Sequence, residues 1–145
     1  MSNPSRDDGA EVVIQTRGLD HVDLTVTDLT RSVAFYGELL PALGLQRLLG
    51  EDQSVWANAH LSIAIRPAEE TERGVAFNRF RVGLHHLAFR ALSRADVDRF
   101  YEYLVAHSAA EILDPPQEYP LYGVGYYALF FSDPDGIKLE LVHRP

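Results

Sequence analysis

The chain has no cysteine among its 145 residues, and it has a single methionine and a single tryptophan. The lack of cysteine excludes disulfides, thiolate-ligated zinc, iron–sulfur clusters and thiol nucleophiles. Any metal ion must therefore be held by His, Asp or Glu. Long hydrophobic runs are also missing, since no stretch approaches the roughly 18 apolar residues of a membrane span. The first residues, MSNPSRDDGAE, lack the apolar core of a signal peptide, so we expect a cytoplasmic protein.

Positive charge is scarce. The chain carries 13 basic and 21 acidic residues, for a formal net charge of -8. This balance disfavours nucleic acid and anionic membranes as partners. The length and the 46% of hydrophobic residues fit one globular domain with an ordinary core. We predict a flexible N-terminal tail at residues 1–16 and a single domain at residues 17–145.

An internal repeat divides that domain. An offset of 65 places His21 on His86 and the pair Phe35-Tyr36 on Phe100-Tyr101. In each half a strand precedes a helix, and three short strands follow. The first strands are predicted at Leu19–Val26 and Leu84–Ala91, and the helices are predicted to begin after the capping residues Asp28 and Ser93. The two modules are expected at about 18–66 and 84–143.

The remaining strands are short and are separated by turn-forming residues. In the first module we predict strands at Leu45–Leu49, Ser54–Ala57 and Leu61–Ile65. In the second we predict a short strand at Glu111–Leu113 and a proline-rich loop at Asp114–Pro120. A hairpin then pairs Gly125–Ser132 with Ile137–His143 across the turn sequence DPDG.

Three polar residues lie on strand faces that the apolar residues leave free: His21, His86 and Glu140. Two imidazoles and one carboxylate form the facial ligand set typical of Fe(II), Mn(II) and related ions, with positions left open for substrate or water. The other interpretation of each histidine is an ordinary hydrogen-bonded side chain on a strand surface. The residues alone leave both interpretations open.

Three segments carry a family resemblance: HVDLTVTDLTRSVAFY, HHLAFRALSRADVDRFYEYL and FFSDPDGIKLELVH. They resemble the vicinal oxygen chelate superfamily, which includes glyoxalase I, fosfomycin-resistance enzymes, extradiol dioxygenases and bleomycin-binding proteins. The resemblance implies an α+β fold in which two βαβββ modules form a curved open sheet, a cup, around a metal site. It also implies that the metal ligands are His21, His86 and Glu140.

One position departs from glyoxalase I, in which the last strand of the first module supplies a fourth ligand, a glutamate. The matching strand here, Leu61–Ile65, has no carboxylate, which argues against ordinary glyoxalase I chemistry. Cationic side chains suited to a phosphonate are not evident near the strands of the second module. Tyr126 is a candidate acid or substrate anchor, since strand alternation points it into the cup. We expect Tyr119 and Tyr122 at the mouth of the cup and His85 on the face opposite His86.

The resemblance implies a metal-dependent enzyme acting on a small substrate chelated through vicinal oxygens, either a glyoxalase-like lyase or isomerase, or a dioxygenase. The cofactor would be a divalent ion: Fe, Mn, Ni or Zn. The alternative is a metal-free protein that binds or sequesters a small molecule. Each module has open sheet edges, so we expect a homodimer in which His21 of one chain joins His86 and Glu140 of the other.

Overall fold

The first half of the chain forms a four-stranded sheet with one helix packed against it. This computed structural model describes residues 14–48 and 54–145. Strand β1 (His21–Val26) leads into helix α1 (Leu29–Ala42), and β2 (Gln46–Arg47), β3 (Val55–Ala57) and β4 (Ser62–Pro67) follow. The strand order is β1-β4-β3-β2, with β1 parallel to β4 and the other pairs antiparallel. Most of the tail predicted at 1–16 lies outside the described residues.

The second half repeats this arrangement. It contains β5 (Leu87–Arg90), α2 (Arg94–His107), β6 (Glu111–Glu118), β7 (Tyr127–Ser132) and β8 (Lys138–His143). Its sheet has the order β5-β8-β7-β6, again with the first and last strands parallel. The predicted α+β class with two βαβββ modules is confirmed. No helix among the described residues is long and apolar enough to span a membrane.

Both helices begin where the sequence predicts. The Asp28 side chain accepts a hydrogen bond from the backbone N–H of Arg31 at 2.9 Å, and Ser93 Oγ accepts one from the backbone N–H of Asp96 at 3.1 Å. Each capping side chain satisfies an N–H that the first helical turn leaves without a partner. These caps fix where the chain turns from β1 into α1 and from β5 into α2.

Strand β6 is longer than the sequence predicts. The loop predicted at Asp114–Pro120 was wrong over Asp114–Glu118, because β6 continues through Pro115 and Pro116 to Glu118. The pairing with β7 shifts register between Ile112 and Asp114 and again between Asp114 and Gln117. An edge strand tolerates proline because its outward-facing positions need no N–H donor. The bulged, proline-containing strand therefore stays on the sheet.

Alternation along the strands separates an apolar face from a polar one. On β1, Leu24 and Val26 are buried, whereas His21 and Asp23 are exposed. The buried faces of both sheets and the inner faces of both helices form one apolar cluster that spans the two modules. A smaller cluster of Ala128, Phe130 and Val142 lies on the opposite face of the second sheet. That opposite face is the one that carries the candidate site.

The turn between β7 and β8 ties the two modules together. The Tyr36 hydroxyl of α1 donates to Asp133 Oδ2 at 2.9 Å, and the Thr27 backbone N–H donates to Asp135 Oδ2 at 2.8 Å. Gly136 closes the turn with a φ of 81°, a conformation that residues with a Cβ adopt rarely. The turn therefore fixes the start of β8 against the first module.

Candidate metal and substrate site

The candidate site lies on the open face of the second sheet, around Glu140 in the middle of β8. This strand lies between β5 and β7, and Glu140 is opposite Ala88 on β5 and Phe130 on β7. The residue is 1% exposed. Burial of a carboxylate is costly unless hydrogen bonds or opposite charges compensate for the lost water, so the contacts of Glu140 define what the site can do.

Two side chains hold the Glu140 carboxylate. His86, just before β5, has Nε2 at 3.1 Å from Glu140 Oε2. Tyr126, just before β7, donates its hydroxyl proton to Glu140 Oε1 at 2.5 Å. Burial, the hydrogen bond to Glu140 and the charge of that carboxylate raise the pKa of Tyr126 well above its usual value. The phenol is therefore protonated across the physiological pH range and acts as a donor.

His85 was predicted on the opposite face from His86, and this prediction was wrong. Its Nδ1 lies 2.7 Å from Nδ1 of His86, and it lines the same cavity. Strand alternation does not apply, because β5 begins only at Leu87. Burial, followed by the charges of His86 and Lys138, lowers the pKa of His85. A neutral His85 can accept the Nδ1 proton of His86, which leaves Nε2 of His86 directed at Glu140.

The pair formed by His86 and Glu140 fits a divalent cation. His86 Nε2 and the Glu140 carboxylate face each other, so they can share a hydrogen bond or hold a cation between them. Two ligands at right angles on one ion, each about 2.1 Å from it, have donor atoms about 3.0 Å apart. The observed separation of 3.1 Å between Nε2 and Oε2 matches that spacing. Both atoms are ligand types that Fe, Mn, Ni and Zn accept.

His21 is not part of this pair within one chain. Its side chain is 61% exposed on β1, with Nδ1 at 2.8 Å from Asp20 Oδ2. This hydrogen bond and the charge of Asp20 raise the pKa of His21. The two cavities at Glu140, of about 330 and 250 Å³, are lined by second-module residues alone. In residues 14–48 and 54–145, no three His, Asp or Glu side chains are arranged to hold one metal ion.

The strand register identifies the first-module counterpart of Glu140. Glu140 is paired with Ala88, two residues after His86. In the first module, the residue two after His21 is Asp23, and it is paired with Ala64 of β4. Ala64 is thus the counterpart of Glu140, and it is 4% exposed. Ala64 therefore has a methyl group at the position where the repeat would place the counterpart of the Glu140 carboxylate.

Aromatic side chains form the wall beside Glu140. Phe130, Tyr122 and Tyr126 line the larger cavity, and Tyr119 stacks on Tyr122 with ring centroids 5.8 Å apart. Tyr122 thus lies at the cavity, as expected. Tyr119 packs against the ring of Tyr122 and edge-on against that of Phe130, with the Tyr119 and Phe130 ring centroids 5.2 Å apart. The Lys138 ammonium lies 3.9 Å from the centroid of Phe130. An aromatic wall of this kind favours a small organic ligand.

Arg90 and Arg144 line the smaller cavity together with His86, Tyr126 and Glu140. No cationic side chains suited to a phosphonate were evident from the sequence near the second-module strands, whereas the structure places these two arginines at the cavity. Alternation could have identified Arg90, because it follows Ala88, the partner of Glu140, by two positions on β5, whereas Arg144 lies just beyond the end of β8. Residues an even number apart on one strand share a face.

Comparisons with known proteins agree on one family. The family model described as the glyoxalase/bleomycin resistance protein/dioxygenase superfamily matches residues 18–141. The uncharacterized protein YqjT of Bacillus subtilis is 36% identical over 125 residues, covering 86% of this chain and 97% of that protein. A 2-epi-5-epi-valiolone epimerase of an Actinomyces species is 27% identical over 148 residues, covering 86% of this chain and 78% of the epimerase. The crystal structure of a domain from Frankia, described by the same three family names, is 32% identical with a TM-score of 0.68, covering 88% of this chain and 98% of that one.

Proposed function

Because this chain belongs to the glyoxalase/bleomycin resistance protein/dioxygenase superfamily, we propose that it is a divalent-metal enzyme for a small substrate with vicinal oxygens. The observation that carries the proposal is the buried Glu140 carboxylate, held by His86 at 3.1 Å and by Tyr126 at 2.5 Å beside an open cavity. A buried carboxylate with an imidazole and a phenol at one cavity adds little to stability, so their grouping indicates a functional site.

Each side chain has a distinct role in this proposal. Glu140 and His86 hold the ion, and His85 fixes the ring orientation of His86 through the contact between their Nδ1 atoms. A bound ion would polarise the substrate oxygens as a Lewis acid. Tyr126 is the proposed catalytic residue, an acid or a substrate anchor, because its hydroxyl is a hydrogen-bond donor beside the cavity. The aromatic wall at Tyr122 and Phe130 excludes water from the substrate.

The third proposed ligand, His21, comes from a second copy of the chain. Strands β1 and β5 are outer strands of their sheets, and no strand of the described residues pairs with the outer side of either one. His21 lies on the first of these edges with its side chain exposed, and His86 directly precedes the second. Pairing of two copies along these edges completes the ligand set and covers open strand edges. The protein is thus proposed to be a homodimer with shared sites.

An isomerase or lyase is the favoured reaction class within this proposal. The relative named as an epimerase catalyses stereochemical inversion, and a protonated tyrosine beside the site suits proton transfer. A dioxygenase remains the competing class. Oxygen consumption with catechol by the iron-loaded protein separates the two, since proton-transfer chemistry consumes no oxygen.

Metal analysis tests the proposal most directly. Protein purified without added metal should contain about one divalent ion per chain, and His86→Ala and Glu140→Gln should each lose most of it. His107→Ala is the matched control, because His107 is an exposed histidine in the last turn of α2, on the face of the second sheet opposite the site. Full occupancy in both ligand variants would overturn the metal site. Absence of metal from the wild type after loading would favour the metal-free binding protein instead.

A mixing experiment tests the shared site. Glu140→Gln and His21→Ala chains each lack one ligand, so neither homodimer should bind metal tightly. After mild dissociation and mixing, a hybrid dimer has one site with His21, His86 and Glu140 all intact. Metal binding should then return to about one ion per hybrid dimer. Exchanged hybrids that recover no binding would locate each site within a single chain.

A further inference from the structure

The smaller cavity extends from Glu140 toward two arginines. Two positions beyond the pair Ala88 and Glu140, Arg90 is opposite Val142 on β8, and Arg144, just beyond the end of β8, lines the same cavity. Strand residues two apart are separated by about 7 Å. The cavity of about 250 Å³ therefore has the proposed metal ligands at one end and two guanidinium groups at the other.

Among residues 14–48 and 54–145, no side-chain carboxylate forms an ion pair with Arg90 or Arg144. Arg90 donates from one terminal nitrogen to the backbone carbonyl of Arg144 at 3.0 Å and to an oxygen of Pro145, the last residue of the chain, at 3.4 Å. These contacts orient the side chain and use only one of its nitrogens. A guanidinium has five N–H donors, so most of those of Arg90 stay available.

Some other arginines of this acidic chain form ion pairs with side-chain carboxylates. Salt bridges join Arg31 to Asp135, Arg94 to Glu118 and Arg99 to Asp96. Among the described residues, Arg90 and Arg144 have no such side-chain partner, and both line the cavity. The charge of Arg144 also reaches the site, because it acts on the Tyr126 hydroxyl and opposes the rise of that pKa.

We propose that Arg90 and Arg144 bind an anionic group of the substrate, a carboxylate or a phosphate. The vicinal oxygens of the same molecule then reach the His86 and Glu140 end of the cavity. Arginine suits this role because its planar fork matches both anions with two parallel hydrogen bonds. The inference rests on the proposed function and narrows its substrate class to small anionic molecules.

The test compares three probes that share one chelating end. Glycerate has a hydroxyl beside a carboxylate, malate adds a second carboxylate, and 3-phosphoglycerate adds a phosphate. Calorimetric titration of the manganese-loaded protein at constant ionic strength should show at least one of the larger probes binding about tenfold more tightly than glycerate. The probe with the larger gain identifies which anion the arginines prefer.

Substitutions of single arginines distinguish anion binding by Arg90 and Arg144 from a general effect of surface charge. Arg90→Gln and Arg144→Gln should each reduce the gain, and the double variant should abolish it while glycerate binding is unchanged. Arg99→Gln removes the same charge from the exposed surface of α2 and should keep the full gain. The proposal is overturned if neither larger probe gains affinity in the wild type, or if the gain persists in the double variant.

A second arm needs no metal, so it separates this inference from the proposed function. Inorganic phosphate should bind the metal-free wild type weakly, as detected by phosphorus NMR, and should not bind the double variant. If the protein fails to take up metal but this difference holds, the metal proposal falls and the anion subsite stands. Equal phosphate binding to both proteins overturns the anion subsite.

Discussion

Replacement of Tyr36 by phenylalanine tests how the two modules are held together. Tyr36 is 1% exposed, and its hydroxyl donates to Asp133 Oδ2 at 2.9 Å. Asp133 is 4% exposed and also accepts hydrogen bonds from the backbone N–H groups of Asp135 and Ile137. The substitution keeps the ring and removes one of these three donors from a buried carboxylate.

The expected loss follows from the kind of hydrogen bond removed. A hydrogen bond to a charged acceptor contributes about 1.5–3 kcal/mol, so Tyr36→Phe should lower the free energy of unfolding by about 2 kcal/mol. Tyr103→Phe is the control, because its hydroxyl donates to the neutral backbone carbonyl of Glu38 at 3.2 Å between the same two modules. That loss should be about 1 kcal/mol or less.

The pH dependence gives this prediction a second readout. Burial raises the pKa of Asp133, and hydrogen bonds from Ile137 and Tyr36 partly oppose that rise. The stability that this raised pKa provides is present below the unfolded pKa of about 4 and is lost as pH rises through the folded pKa. Tyr36→Phe raises the folded pKa further, so its deficit should grow between about pH 4 and pH 7.

Urea unfolding at a fixed protein concentration measures both effects, and the fixed concentration keeps any contribution from dimerisation constant. The reasoning is refuted if Tyr36→Phe is no less stable than Tyr103→Phe at neutral pH. If the loss of unfolding free energy in Tyr36→Phe shrinks as pH rises, that loss does not come from the hydrogen bond to ionised Asp133.

Three further predictions concern the site. Ala64→Glu should destabilise the metal-free protein, because it buries an unpaired carboxylate on β4, next to the strand that carries His21. Manganese should raise the melting temperature of this variant more than that of the wild type. Equal shifts in the two proteins would contradict the assignment of Ala64 as the counterpart of Glu140. Tyr126→Phe should weaken metal affinity by about tenfold through the lost hydrogen bond to Glu140, whereas Tyr122→Phe should leave it unchanged, as checked by competition with a chelator. The nickel- or zinc-loaded wild type should turn over the hemithioacetal of methylglyoxal and glutathione poorly, and robust turnover would show that the missing fourth ligand is dispensable.

The sequence was sufficient for the features set by local chemistry. Asp28 and Ser93 cap their helices as expected, because a capping side chain acts within three residues of its own position. The faces of β1 also follow from alternation, with Leu24 buried and His21 exposed. These features depend on backbone geometry that a few neighbouring residues determine, so they can be predicted from a single sequence.

Features that depend on where a strand begins, or on its place in the sheet, could not be obtained this way. His85 faces the cavity because β5 starts after it, and β6 keeps its prolines because it lies at an edge. Alternation places His86, Tyr126 and Glu140 on the open side of the sheet, but it does not predict their contact. That contact joins residues from three segments and depends on how the strands pair. The roles of His21, His86, Glu140 and Tyr126 stay predictions that the experiments above decide.

The outer edge of strand β6 is a poor template for the addition of another strand. An exposed strand edge can serve as a template on which further chains add without end, as in amyloid. Pro115 and Pro116 remove two N–H donors from β6, and the register shifts beside them bend the strand away from a regular ladder. A chain arriving at β6 would find no continuous set of hydrogen-bond partners, whereas β5, at the other edge of the same sheet, has no proline. Strand addition to the second sheet is therefore disfavoured at β6 and not at β5.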